Sequence, residues 1–527
     1  MGRLGQMILQ NSKMSSRYKA HAAKDPLLRT RLRKGTARGK HIHFVGICGV
    51  GMSAIAIALH KANPADGGIN WKVTGSDKGF YPPVSNSLEE AGVTFYSGFH
   101  PERLIEGGIP DMIVAGGGGT ASSNPELIYA RENNIPILSY PELLQKYFVR
   151  KNSVVTVGTW GKTTCTAFLA HILSETKLKP SYMIGGIPIN LVPGKLDNGS
   201  WSVIEGDEYQ SAIWDKKAKF WYYSPTHLLL TSVSWDHADL YPTEDDYFAT
   251  FEKLVASIPE DGLIVACIDN PGVRKVIGHA KCRVVTYGSP RLRKGEAGKR
   301  SSADYKYLKV GESREGLRFG IMKDKKAIAI ESRIIGGFQA ENITGCFVMA
   351  KEIGIPTKTI ISSIASLAGI KRRFEKRFEN EKVTVFDCHA PTPEKARSVL
   401  RDLRKIYPSE KIVAIFEPNI GGRTPESSIK YTDAFSAADT VIIPLFTKLK
   451  IDANAKTKPL DSHDISALIA RGHSDTRYIP NDTNLVTKLF NFATPPPNEN
   501  SVIVFLGSHS FRQMIEQLVE KLRSVSV

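Results

Sequence analysis

Thr156-Val157-Gly158-Thr159-Trp160-Gly161-Lys162-Thr163-Thr164 stands between a β-type run over 153–157 and an apolar-periodic segment that predicts a helix over 165–173. A glycine loop between strand and helix presents backbone N–H groups and a helix N-terminus to an anion. Lys162 adds a mobile charge for β- and γ-phosphates, and the Thr163 hydroxyl can ligate Mg²⁺. The spacing departs from G-x-x-x-x-G-K-[ST], because Thr156 occupies the place of the first glycine. A bare G-K-T tripeptide is common by chance, and a plain strand–turn–helix connection is the alternative. The flanking strand and helix favour a nucleotide site.

The same strand–helix rhythm extends in both directions. At 527 residues the chain is too long for one core. Residues 41–150 alternate strand-like runs (41–45, 71–74, 112–114, 136–139) with helix-like runs (52–61, 87–91, 125–133), which predicts a parallel sheet with helices on both faces. Residues 151–370 open with the glycine loop and keep the rhythm through strands at 202–204, 228–233 and 263–267. Residues 371–527 repeat it, with strands at 383–386, 412–416, 440–444 and 502–506 and helices at 395–406 and 511–522. The expected fold class is α/β in three domains: a Rossmann-like domain, a central P-loop domain and a C-terminal Rossmann-like domain. They follow a basic, disordered tail at 1–40.

Composition narrows the class. No run of about 18 apolar residues exists, so membrane insertion is not expected. The six cysteines (48, 165, 267, 282, 346 and 388) form no C-x-x-C pair, which argues against a disulfide framework or zinc knuckle and for a reducing, cytoplasmic setting. The net charge of +17 is concentrated in residues 1–40, which hold eleven Lys/Arg and one acid, Asp25. Such a stretch reads as a solvated arm, a transit-type segment or a start codon set too early, and a nucleic-acid partner is not expected. The basic loop at 291–300 reads as a solvated insertion.

Further chemistry collects at predicted strand ends. Gly46, Gly49 and Gly51, with Met52, follow the first strand in a G-x-x-G-x-G pattern, and Ser76 and Asp77 end the second. Glycines there admit a pyrophosphate, and an acid there meets a ribose or base; two tight turns with Asp77 as a cap are the alternative. Glu205-Gly206-Asp207-Glu208-Tyr209 and Asp236-His237-Ala238-Asp239 place carboxylates and a histidine after two other strands, on the sheet edge that carries the P-loop. Lys371-Arg372-Arg373-Phe374-Glu375 could neutralise phosphates at a domain junction, and a solvated basic run is as plausible from composition. Cys388-His389 is no catalytic pair, since adjacent side chains on an extended segment point apart.

Together these stretches resemble, in order over about residues 41–525, the Mur ligases, ATP-dependent amide-forming enzymes of peptidoglycan assembly. The motifs are 46–52, 158–164, 205–208, Asp236-His237 and 372–375. The runs 205–209, 214–220, 81–83 and 184–190 look like the recycling branch, the murein peptide ligases. This resemblance implies joining of UDP-N-acetylmuramate to the tripeptide L-Ala-γ-D-Glu-meso-diaminopimelate; L-alanine as acceptor is the alternative, and a non-catalytic nucleotide-binding homologue a third reading. It implies ATP and Mg²⁺ as cofactors, and a monomer or dimer. By the same resemblance Lys162, Glu205, His237 and His389 would be catalytic. Gly158, Thr159, Trp160, Gly161, Lys162, Thr163, Thr164, Asn342, Arg373 and Asp387 would bind ATP. Thr163, Glu205 and His237 would hold the metal, and Gly46, Gly49, Gly51, Met52, Ser76 and Asp77 the UDP-sugar. The chain departs from the family pattern at Trp160, at Phe338 and Gln339 (in place of a histidine and an asparagine), and in a shortened loop around Asp387.

Overall fold

The computed structural model describes residues 39–62, 69–80, 84–116, 123–237, 240–290, 302–419, 423–447, 459–494, 499–508 and 510–525. The basic tail up to residue 38, the 81–83 motif, Asp239 and the 291–300 loop lie outside them.

Among the described residues alternating strands and helices build three large sheets, each with helices on both faces, beside one two-stranded hairpin. In the first, five parallel strands run in the order Thr94–Ser97, Trp71–Asp77, Lys40–Val45, Met112–Ala115, Ile137–Ser139. In the third, Val383–Cys388, Ser501–Gly507, Lys411–Glu417, Thr440–Pro444 and Thr476–Ile479 are parallel, and Glu375–Glu379 adds an antiparallel edge. Near-continuous apolar strands such as Ser501–Gly507, buried along its length, are what a sheet covered on both faces requires.

The central sheet has ten strands. Its parallel middle runs Arg283–Gly288, Leu263–Cys267, His227–Leu230, Asn152–Val157, Trp201–Gly206, Ser181–Met183. Here the expected rhythm breaks. Tyr305–Ser313, Gly316–Lys323 and Lys326–Ser332 form an antiparallel meander on one edge, where continued β-α alternation was expected. The expected strand at 228–233 also stops at Leu230, because Thr231, Ser232 and Ser234 leave the ladder to hold the glycine loop.

The first and central sheets share one apolar core, from Ile42 and Leu59 to Leu230, Phe251 and Val276. The third sheet has its own two cores, one on each face, and among the described residues Ile335 and Phe374 reach into one of them.

Candidate active site

Strand register decides which residues can meet. Val157 lies opposite both Leu230 and Gly206, so the glycine loop, the 207–209 carboxylates and the 231–237 segment leave the central sheet at one edge. Carboxyl ends of parallel strands are where α/β proteins bind ligands.

The loop turns on two glycines. Gly158 (φ +137°) and Gly161 (φ +87°) adopt backbone conformations that L side chains rarely take. They also have no room: a Cβ on Gly158 would lie 2.3 Å from Thr231 Oγ1, and one on Gly161 2.5 Å from Asn342 Oδ1. Thr156 explains the missing first glycine. It is still part of the strand, fully buried, and its hydroxyl bonds Thr166 and the Lys162 carbonyl, tying the strand to the first turn of helix Lys162–Ser174. The Trp160 N–H donates to Ser232 Oγ (2.9 Å), the Thr231 hydroxyl donates to the Trp160 carbonyl, and the Thr159 hydroxyl bridges to Ser234 and Tyr247. Trp160 itself is 55% exposed, and Thr164 is buried in the helix.

Around this loop the charges are paired. Lys162 Nζ donates to the Gly158 carbonyl (2.7 Å) and to Glu208 (2.8 Å), whose carboxylate is only 1% exposed. Thr163 Oγ1 donates to Glu205 (2.9 Å), and the other Glu205 oxygen accepts from the Gly185 N–H (2.7 Å). Burial holds the Glu205 carboxyl above its ordinary pKa, against the opposing charge of Lys162. His237, in a left-handed conformation (φ +55°), puts Nε2 3.7 Å from Glu208 and its ring edge-on to Tyr209. Of the three expected metal ligands, Thr163 and Glu205 are thus in contact, whereas His237 approaches Glu208 instead. Among the described residues no group of three or more His, Cys, Asp or Glu could hold a metal by itself. A hydroxyl beside a carboxylate still fits Mg²⁺, a hard cation that takes one or two protein oxygens and completes its shell with water and phosphate. A dedicated cage is not needed.

The junction at 369–374 brings in the third sheet. It pairs with the central sheet's 187–189 segment through Lys371 N–H to Ile187 O (2.8 Å) and Ile189 N–H to Gly369 O (2.9 Å). Arg372 (φ +63°) and Phe374 (φ +52°) are both left-handed, a strained arrangement for non-glycine residues. It turns two adjacent arginines to different duties. Arg372 donates to Asp387 and to the carbonyls of Gly507 and Ser508, pinning the junction to the third sheet. Arg373 reaches the other way, Nη2 3.2 Å from Thr163 Oγ1. Asp387 is buried near the end of its strand between Arg372 and Arg377; desolvation raises its pKa to about 6 against the arginines' pull. His389 lines a cleft with Phe338, Gln339, Arg373 and Phe374, and its N–H donates to the Arg372 carbonyl (2.6 Å). Asn342 lies beneath the loop with its amide on Gln339 (2.8 Å).

Sequence reasoning missed two groups. Glu208 is the direct partner of Lys162, although only its motif was noted. Lys395, at the start of helix Pro393–Ile406, lies within the electrostatic reach of Asp236, Arg373 and Lys162. It is open to solvent but walled in by protein; that desolvation lowers its pKa, with Asp236 opposing and the two cations adding. No motif points to it.

The first sheet carries a second glycine turn. Gly46 (φ +83°) and Ile47 donate their N–H groups to the Ser76 carbonyl, and Asp77 accepts from the Cys48 N–H (2.8 Å). Gly49 closes back on the Gly46 carbonyl (3.2 Å), and Gly51 packs where a Cβ would meet the Tyr140 ring at 2.9 Å. Two expected ligand side chains point inward: Ser76 bonds buried Glu126, and Met52 lies in the core. What this turn offers a ligand is backbone and Asp77.

Comparison with known proteins agrees with this architecture. Residues 41–151 match the Mur ligase family, catalytic domain, and residues 155–350 the Mur ligase middle domain. A UDP-N-acetylmuramate–L-alanine ligase from Chlorobaculum tepidum is 30% identical over 77% of this chain and 80% of its own length. A UDP-N-acetylmuramate–L-alanyl-γ-D-glutamyl-meso-2,6-diaminoheptandioate ligase from Haemophilus influenzae is 28% identical over 72% of this chain and 80% of its own. The crystal structure of a UDP-N-acetylmuramate–alanine ligase from Thermotoga maritima superposes with a TM-score of 0.71 at 23% identity, over 92% of this chain and 99% of the other, a match of fold. No helix among the described residues is long and apolar enough to cross a membrane. The chain belongs to the Mur ligase family and is an ATP-dependent, ADP-forming ligase that makes amide bonds.

Proposed function

We propose that the chain activates the carboxylate of UDP-N-acetylmuramate with ATP and joins it to L-alanine. The observation that carries the activation half is the meeting of Glu205 and Arg373 on Thr163, next to Lys162 and its partner Glu208, with Arg373 supplied by the junction to the third sheet. Such a meeting places two cations where charge develops on a transferred phosphoryl group. The muramyl carboxylate attacks the γ-phosphorus, forming an acyl phosphate and releasing ADP. The amine of the acceptor then attacks the acyl carbon, and inorganic phosphate leaves from the tetrahedral intermediate.

In this reading the loop amides between Gly158 and Thr164 cradle the phosphates, with Trp160 at the loop's open tip. Lys162 exchanges its contact with Glu208 for the β- and γ-phosphates. Thr163 and Glu205 hold Mg²⁺, with His237 and Glu208 behind them; the ion supplies charge neutralisation on the phosphate oxygens. Asn342 supports the loop from below, and Asp387 positions Arg372 and through it the junction. His389 faces the reacting groups. The turn from Gly46 to Gly51 and Asp77 hold the UDP moiety by backbone and carboxylate. Residues 41–150, 151–370 and 371–527 act as three domains, the last closing on the loop through residues 369–374 to keep water from the acyl phosphate.

Relatives named for L-alanine predominate among the similar proteins, and they support it as the acceptor over the tripeptide expected from the motifs. One observation favours the tripeptide as a second reading. The run 205–209, which with 214–220 carried the resemblance to murein peptide ligases, ends strand Trp201–Gly206 and leads into the hairpin of Gln210–Ala212 and Asp215–Ala218, whose second strand lies in the run 214–220. Phosphate release from Mg²⁺–ATP in the presence of UDP-N-acetylmuramate separates the two. Stimulation by L-alanine supports the first reading, stimulation by L-Ala-γ-D-Glu-meso-diaminopimelate alone replaces it with the second, and stimulation by neither overturns both.

A further inference from the structure

The chain connection at 369–374 turns on the left-handed Arg372 and Phe374, and by itself it is a pivot between the central and third sheets. The antiparallel meander makes a further contact. Its first turn, Ser313-Arg314-Glu315-Gly316, is fixed by Gly316 (φ +134°), where a Cβ would lie 1.9 Å from the Ser332 carbonyl oxygen. From this turn Arg314 crosses to the third sheet's side. Its guanidinium lies over the Tyr407 ring at 4.8 Å and pairs with Glu410, whose carboxylate is 6% exposed. Glu312 works in two directions: one oxygen is 3.6 Å from Lys405 Nζ, and the other accepts the Gly337 N–H at 2.9 Å. Lys405, Tyr407 and Glu410 lie at or just past the end of helix Pro393–Ile406, whose other end carries Lys395 within the electrostatic reach of Lys162 and Arg373. At 1.5 Å per residue the two ends stand about 15 Å apart. A grip on one end of this helix therefore sets where the other end stands over the P-loop. The apolar part of the seam is small, Ile335 and Phe374 among the described residues, and polar seams between domains permit relative motion.

We propose that Glu312 and Arg314 are positioning residues, an electrostatic clamp by which the meander of the central sheet holds the third sheet closed over the P-loop during ligation. The inference rests on closure of the third domain and adds the residues that fix its closed angle. Neither residue touches the reacting groups; both act through helix Pro393–Ile406. Because Arg314 and Lys405 are open to solvent while their partners are buried, salt weakens the clamp without abolishing it.

The test reads single-molecule energy transfer between fluorophores attached at exposed Glu260 and Glu520, on the central and third domains of the full chain, with Mg²⁺–ATP and UDP-N-acetylmuramate bound. Arg314→Glu should shift the closed-to-open ratio about tenfold toward open and lower kcat for phosphate release by a similar factor, with the KM for ATP changed less than about twofold. Adding Glu410→Arg should restore both, since the charges again oppose. Arg314→Gln, which removes the charge without adding a repulsion, should give a smaller shift in the same direction. Raising NaCl from about 0.05 M to about 0.5 M should open the native chain more than the Arg314→Gln chain. An Arg314→Glu chain as closed as the native one overturns the proposal, as does a loss that Glu410→Arg fails to restore. If the native chain releases no phosphate with either L-alanine or the tripeptide, the ligation reading fails, and the energy-transfer result alone decides the clamp.

Discussion

The two glycine turns of this molecule look alike in sequence and are built differently. The turn at 46–51 is closed by neighbours on one adjacent strand, Ser76 and Asp77. The loop at 158–164 is held by four separate stretches: Thr231 to Ser234, Glu205 and Glu208, Asn342, and Arg373. A turn that its own sheet completes can bind a ligand passively. A loop whose charges come from distant segments can change when those segments move, which is what phosphoryl transfer requires.

The largest effect should come from Lys162→Ala, with about a 10³-fold loss of kcat in ligation assays. The variant also strands the buried Glu208, at about 3 kcal/mol of stability. Adding Glu208→Gln should recover most of the melting temperature and none of the activity; recovery of both would separate Lys162 from the chemistry. Glycine substitutions then contrast the two turns directly. Gly158→Ala meets Thr231 and Ser232 as well as an unfavourable φ, and should abolish nucleotide binding in calorimetry. Gly46→Ala meets nothing within 4 Å, so it should cost only the left-handed strain, about 1–2 kcal/mol in denaturant unfolding.

Adjacent arginines sharpen the comparison further. Arg373→Ala should lower kcat by about 10²-fold with little change in melting temperature. Arg372→Ala should instead lower the melting temperature, since it removes the guanidinium donors from two carbonyls and leaves Asp387 with Arg377 alone. The smallest effect is one of pH. The Asp387 carboxyl sits near 6 in the folded chain, above its ordinary value, so the folded state holds its proton more tightly than the unfolded state. Its contribution is full below about pH 4 and is lost as pH rises through 6, a span worth ~3 kcal/mol. Asp387→Asn should remove that decline from stability curves measured between pH 4 and 7.

Most of the parallel architecture was legible because strands buried on both faces are continuous apolar runs, and the 263–267 and 440–444 strands were placed to the residue. The antiparallel meander was not. Its tight turn uses Asp324 and Lys325, both left-handed, without the Asn-Gly signal that marks such turns. The P-loop edge could be read because register forces neighbouring strand ends together. The hydroxyl frame of Thr231, Ser232 and Ser234 could not, since small polar residues after a strand look like any loop. Lys395 was invisible for a related reason: it belongs to a helix of the third sheet, and only the packing of that sheet brings it within the electrostatic reach of Asp236. Ser76 shows the opposite error, a polar residue at a strand end whose hydroxyl turns inward to Glu126.

The most direct test of carboxylate activation at this loop is oxygen transfer. UDP-N-acetylmuramate labelled with ¹⁸O in its carboxylate would be turned over with Mg²⁺–ATP and acceptor, and the released phosphate examined by mass spectrometry. The account predicts one ¹⁸O in each phosphate, at a rate that falls with Arg373→Ala. Phosphate carrying oxygen from solvent alone would mean that the loop hydrolyses ATP without forming an acyl phosphate, and would contradict it.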